Sequence, residues 1–88
     1  MTIPYARLRN LTARELTRAL LQDGFSFRRQ KGSHHRYVHP DGRRVTVAFS
    51  RSGDTFGMKA LSSMIEVQAR WTEGDLQRLG LIGGKQSL

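Results

Sequence analysis

The chain has 88 residues, and 15 Lys and Arg residues against 7 Asp and Glu residues give it a formal net charge of +8. It has no cysteine, which excludes disulfides and thiolate metal sites and fits a cytoplasmic location. No apolar run approaches the roughly 18 residues of a membrane helix, so we expect no membrane span. The charge excess favours a polyanionic partner: nucleic acid, an anionic membrane surface or an acidic protein.

We expect a single domain over residues 1–88, with a core from about 11 to 80 and a mobile tail from about 83 to 88. Residues 1–10 show no periodicity, and we interpret them as an extended lead-in. The first helix is expected over about 13–23, because Thr12 and Glu15 have the spacing of a capping box. Gly24 then suits the left-handed residue that ends a helix.

After Gly24 the apolar period changes to two, which is typical of strands. Phe25 and Phe27 alternate with polar residues, so we expect a half-buried first strand with both rings in the core. A short turn at 31–33 leads to a second strand over about 34–39. A tight turn at Pro40-Asp41-Gly42 leads to a third strand over 43–49. The inward face of the third strand is expected to carry Val45, Val47 and Phe49.

A polar loop covers 50–57, and a helical period returns from Met58. Its apolar face is predicted to comprise Leu61, Met64, Ile65 and Gln68 or Ala69, with Trp71 sealing the core edge. Thr72 and Asp75 indicate a last short helix that ends near Gly80. The element order predicts an α+β fold with α-β-β-β-α topology: a three-stranded antiparallel sheet has both main helices on one face, as in double-stranded RNA-binding domains.

Four runs carry a resemblance to a known family: Leu11–Glu15, Gly24-Phe25, Arg29–His35 and His39–Val45. They resemble the HicA toxins of bacterial and archaeal toxin–antitoxin pairs. The resemblance implies a ribonuclease that cleaves mRNA without a metal or cofactor, and a HicB antitoxin that inhibits it. The family's functional histidine, three residues after the glycine, corresponds to His35. The family usually has Gly-Leu where this chain has Arg70-Trp71.

The run from Arg28 to Arg36 concentrates side chains that suit RNA cleavage. Imidazole can accept or donate a proton near neutral pH, so His35 is the candidate catalytic residue. Candidate RNA-binding residues are Arg28, Arg29, Lys31, Gly32, Ser33, His34 and Arg36. The cations would stabilise the extra negative charge of the transition state, and the N–H groups near Gly32 would bind a phosphate oxygen.

Other interpretations remain open at this stage. The chain could be a non-catalytic RNA-binding module with the same fold and basic face. Tyr37 could stack on a base or pack at the sheet edge, and His39 is expected to be a hairpin residue. A shared metal ion is disfavoured, because His35 and His39 lie roughly 13 Å apart on one strand at about 3.3 Å per residue.

Overall fold

The structure is a computed structural model that describes residues 3–83. A 3₁₀ turn, Tyr5–Leu8, precedes helix α1, Ala13–Gln22. Strands β1, Ser26–Lys31, β2, His34–Val38, and β3, Arg44–Ala48, form one antiparallel sheet in the order β1-β2-β3. Helix α2, Met58–Ser62, continues as a π-helical segment, Ser63–Gln68, and helix α3 is Glu73–Arg78. The predicted α+β class and the α-β-β-β-α order are confirmed.

Local signals set the start and end of α1. The Thr12 hydroxyl accepts from the Glu15 N–H at 3.2 Å, and the Glu15 carboxylate accepts from the Thr12 N–H at 2.9 Å. This is the predicted capping box. Gly24 follows with φ +104°, and a Cβ there would lie 2.9 Å from Nε2 of His39. A side chain at position 24 would therefore be both strained and crowded.

The first strand departs from regular alternation. Phe27 pairs with Tyr37, but the next pair is Arg29 with Arg36, so Arg28 is an extra residue in a β-bulge. Phe27 was predicted in the core, and that prediction is wrong: its side chain is 52 % exposed. An outer strand has a neighbour on one side only, and the Phe27 ring contacts Tyr37 edge-on at 5.7 Å.

The core lies between the sheet and the helices. Its largest fully buried side chains are Leu8, Leu16, Leu20, Ile65, Leu76, Val45 and Val47. The 3₁₀ turn and its burial of Leu8 correct the prediction of an extended lead-in. Ile3 and Ile82 also belong to the buried cluster, so the cluster extends on both sides of the predicted 11–80 span. Of the predicted tail, residues 84–88 lie outside the described range.

The second helix changes its winding after Ser62. The Ala69 N–H donates to the Met64 carbonyl at 2.8 Å, a π-type i−5 hydrogen bond that the sequence did not predict. This segment packs on β3, where Oε1 of Gln68 accepts from the Thr46 N–H at 2.8 Å. The Gln68 side chain therefore satisfies a backbone N–H group of β3, which is an outer strand of the sheet.

Asp23 joins the C-terminal end of α1 to the last part of the chain. Its carboxylate accepts from Trp71 Nε1 at 2.9 Å and from Arg78 at 2.9 Å, and Arg43 lies 3.3 Å away. Thr72 and Asp75 form the predicted capping box of α3. No helix within residues 3–83 has the length and apolarity to cross a membrane.

Candidate functional site

A two-residue turn, Gly32-Ser33, joins β1 to β2. Gly32 has φ +59°, a conformation that glycine adopts without a steric cost. Nε2 of Gln30 donates to the Gly32 carbonyl at 2.9 Å, and the Phe49 N–H donates to the Ser33 carbonyl at 2.9 Å. Both carbonyl groups of the turn thus accept a hydrogen bond, one from a side chain and one from the backbone.

His35 is the second residue of β2 and is partly buried. Its ring stacks on Phe49, with centroids 3.9 Å apart and ring planes 12° from parallel. Nδ1 lies 3.0 Å from the Ser33 carbonyl oxygen and 3.3 Å from the Val47 carbonyl oxygen. Carbonyls only accept hydrogen bonds, so Nδ1 is the protonated nitrogen of the neutral ring. Nε2 then keeps its lone pair, and no described residue bonds to it.

The strand register separates His35 from its neighbours in sequence. His35 pairs with Gln30 and with Val47, whose side chain is buried in the core. Arg36 pairs instead with Arg29 and Thr46. Residues directly opposite each other share a face, and successive residues alternate. His35 therefore lies on the helix-covered side of the sheet, and Arg36 lies on the open side.

The open face collects most of the predicted RNA-binding residues. One groove is lined by Arg29, Lys31, Gly32, His34, Arg36 and Thr46. An adjoining groove is lined by Arg28, Arg29, Arg36, Val38, His39, Gly42, Arg43 and Arg44. Ser33 and His35 line neither groove. Arg44, which lines the adjoining groove, was not among the predicted RNA-binding residues, although its alternation with Val45 predicted an outward side chain.

Few carboxylates offset these cations. Arg29 lies directly opposite Arg36, and such like-charge pairs on neighbouring strands are destabilising. Among residues 3–83, the ion pairs of arginines involve Arg43 and Arg78, which bind Asp23, Asp41 and Asp75. The open face therefore presents positive charge that ion pairs within the protein do not neutralise, and this charge can bind an anion.

Two other side chains have structural roles. Tyr37 is buried among core residues, so of its two interpretations the structure supports packing. Burial raises the pKa of Tyr37. His39 holds its hairpin as predicted: Nε2 lies 2.9 Å from the Asp23 carbonyl oxygen, and Nδ1 accepts from the Asp41 N–H at 3.1 Å.

The contact between His35 and Phe49 was not predicted from the sequence. A signal was present, because Phe49 has the parity of Val45 and Val47. Tyr37 is two residues after His35 on the same strand, so a prediction that Tyr37 is buried would have placed His35 on that same face.

Within the described part of the chain, no three His, Asp or Glu side chains come together in a group that could hold a metal ion.

The family described as "HicA toxin of bacterial toxin-antitoxin" matches residues 13–69, which is more than half of the chain. The chain belongs to the HicA toxin family. The match runs from the start of α1 to the end of the π-helical segment, so it includes the Gly32-Ser33 turn, His35 and Phe49. A HicA toxin is one member of a toxin–antitoxin pair. No curated protein matches the chain at a significant level.

Proposed function

We propose that this HicA chain is a metal-independent endoribonuclease that cleaves mRNA in the cytoplasm with His35 as its catalytic residue. The observation that carries the proposal is the hydrogen bonding of His35, whose Nδ1 faces two carbonyl oxygens. When the neutral ring is held in this way, Nε2 keeps its lone pair and can act as a base near the Gly32-Ser33 turn. The HicA family membership supports the toxin role.

RNA supplies its own nucleophile, the 2′-hydroxyl. Nε2 of His35 accepts the proton of that hydroxyl while its oxygen attacks the adjacent phosphorus, and the bond from phosphorus to the 5′-oxygen breaks. The leaving 5′-oxygen takes up a proton from solvent and becomes a 5′-hydroxyl, and the protonated Nε2 returns its proton to solvent. The products are a 2′,3′-cyclic phosphate and a 5′-hydroxyl fragment. A single histidine, with no second acid or base in contact with it among residues 3–83, predicts a slow enzyme.

The basic open face anchors the RNA backbone next to the cut. Arg28, Arg29, Lys31, His34 and Arg36 contact phosphates there, and the strand then crosses the Gly32-Ser33 turn to reach His35. Ser33 and the N–H groups of the turn bind a phosphate oxygen at the crossing. The like-charge pair of Arg29 and Arg36 supports this role, since an RNA strand would relieve its repulsion.

A HicB-like antitoxin is the proposed inhibitory partner. The net charge of +8 favours an acidic protein that covers His35 and the surrounding cations. The complex should form on co-expression and weaken as salt rises, because the Debye length is only about 8 Å at physiological ionic strength. Failure of the co-expressed antitoxin to co-purify at low salt would contradict this part of the proposal.

His35→Ala tests the catalytic role. Loss of a general acid or base typically costs about 10²–10⁴-fold in rate, so cleavage should fall by that factor while RNA binding is nearly unchanged. The fold should be retained, with a lower free energy of unfolding because the stacking on Phe49 is lost. His34→Ala is the matched control: it removes the adjacent imidazole from the open face and should have a milder effect. Full cleavage by His35→Ala would overturn the assignment.

The second candidate is a non-catalytic RNA-binding module. The observation that favours it is the separation of faces, since the cations lie on the side of the sheet away from His35. The same assay distinguishes the two. If the wild-type chain and His35→Ala both bind RNA and neither produces fragments, the chain is a binding module.

A further inference from the structure

We propose that Phe49 is a positioning residue for His35, which it holds in one ring orientation and one tautomer. The inference rests on the proposed catalytic role of His35. Phe49 makes two separate contacts with the site: its ring stacks on the imidazole, and its backbone N–H binds the carbonyl that also receives His35 Nδ1.

The stacking contact restricts rotation of the His35 ring. The centroids are 3.9 Å apart and the rings are nearly parallel, so the phenyl ring lies over one face of the imidazole. Phe49 is itself partly buried and packed against the core cluster, which fixes its own ring. A tilt of the imidazole would open a gap against the phenyl ring and lose that contact. A flip keeps the ring in the same plane, and it is opposed by the hydrogen bond from Nδ1 to the Ser33 carbonyl.

The backbone contact supplies the acceptor for Nδ1. The Ser33 carbonyl oxygen receives the Phe49 N–H at 2.9 Å and lies 3.0 Å from His35 Nδ1. The oxygen has two lone pairs, so it can serve both donors. The Val47 carbonyl oxygen lies 3.3 Å from the same nitrogen and supports it from β3. The turn and the third strand thus meet at the imidazole.

As a consequence, the two ring nitrogens of His35 have different roles. Nδ1–H is tied to backbone, and Nε2 is left with its lone pair for the substrate. Protonation of Nε2 adds a donor without moving the ring, because every contact described above involves the ring face or Nδ1. The same nitrogen can therefore take a proton and later return it from an unchanged position.

A simpler interpretation is that Phe49 only fills space at the sheet edge. Phe49→Leu separates the two interpretations, since leucine keeps the apolar bulk and the backbone N–H but cannot stack. Phe49→Tyr keeps the stacking ring and should restore the function. Phe56→Leu is the matched control, because Phe56 is also partly buried against the core but does not contact His35.

Two readouts test the proposal. Nitrogen-15 NMR of the free wild-type protein should show neutral His35 as the Nδ1–H tautomer, and Phe49→Leu should shift it towards Nε2–H or a mixture. In RNA cleavage, Phe49→Leu should lower kcat by about 10- to 100-fold with KM little changed, because misplacing a reacting group can cost about 10²-fold. Phe49→Tyr and Phe56→Leu should retain wild-type kcat.

The result that would overturn the proposal is an unchanged His35 tautomer in Phe49→Leu, whatever the effect on rate. A wild-type His35 in the Nε2–H form would also overturn it. The proposed function fails by a different result, full cleavage by His35→Ala, which leaves the NMR measurement standing. The two failures are therefore distinguishable.

Discussion

His35 and Arg36 are neighbours in the chain but project to opposite sides of the sheet. His35 pairs with the buried Val47 and stacks on Phe49, whereas Arg36 lies between Arg29 and Thr46 on the open face. The two side chains would therefore contact different parts of a bound strand, and one strand can reach both only by passing around the end of the sheet. The Gly32-Ser33 turn forms that end, and in the proposed function the RNA strand crosses it.

The chemistry of the products tests the proposed mechanism. If the 2′-hydroxyl is the nucleophile, the downstream fragment should carry a 5′-hydroxyl, and cleavage should continue in EDTA. End-labelling of the fragments with polynucleotide kinase, without prior phosphatase, measures this directly. Fragments with a 5′-phosphate whose formation stops in EDTA would contradict the mechanism, because they indicate a metal-activated water.

Arg36→Gln should weaken RNA binding and at the same time stabilise the free protein. Loss of one phosphate contact lowers the salt slope of binding by about one unit with little sequence dependence. Removal of the repulsion with Arg29 should raise the free energy of unfolding by a few tenths of a kcal/mol, on the order of a cross-strand pair.

Filter binding across a salt series and urea unfolding measure these two effects of Arg36→Gln. Arg9→Gln is the matched control, since Arg9 is an exposed arginine next to the 3₁₀ turn and lies outside the two basic grooves. An equal loss of RNA binding in Arg9→Gln would indicate that only net charge matters.

Asp23→Asn should destabilise the fold by about 1–3 kcal/mol at neutral pH, since hydrogen bonds to a charged group are lost. Burial alone would raise the pKa of Asp23. The hydrogen bonds from Trp71 and Arg78, with Arg43 nearby, outweigh burial and lower that pKa below its ordinary value. The folded state therefore binds the proton less tightly than the unfolded state does.

The stabilisation from Asp23 should be fully present above about pH 4, the ordinary range of an aspartate, and be lost as pH falls through the lower folded pKa. The stability difference between wild type and Asp23→Asn should accordingly shrink in acid. Urea unfolding at a series of pH values measures it. A difference that stays constant down to pH 2 would contradict the role of the charge.

Arg70→Gly should stabilise the protein by about 1 kcal/mol. Arg70 has φ +57°, and in the part of the chain that the structure describes it is the one non-glycine residue with positive φ. A Cβ costs about 1–2 kcal/mol in that conformation, and the entropy of glycine in the unfolded chain offsets part of the gain.

Thermal unfolding measures the effect of Arg70→Gly, and a gain of 1 kcal/mol corresponds to about 4–8 °C in Tm for a domain of this size. Arg70→Ala is the control, because alanine removes the charge and keeps the Cβ. An equal gain in both variants would assign the effect to charge and not to backbone strain.

The sequence by itself determined the elements whose signals are local. The capping boxes at Thr12 and Thr72 join residues three apart, and Gly24 and Gly42 adopt the positive φ values that helix ends and turns require. The order of apolar periods then determined the α+β class. Such signals act between neighbours in the chain, so they are readable without knowledge of the packing.

Only the tertiary structure decided which faces the functional side chains share. Regular alternation would put Arg29 on the side of Phe25 and Phe27, but the bulge at Arg28 reverses the phase and turns Arg29 to the open face. Pairing with the second strand sets that bulge. Likewise, the stacking of His35 on Phe49 and the bond from Trp71 to Asp23, 48 residues apart, depend on contacts between distant segments. No local pattern encodes them, because their energy is gained only once the sheet and helices pack together.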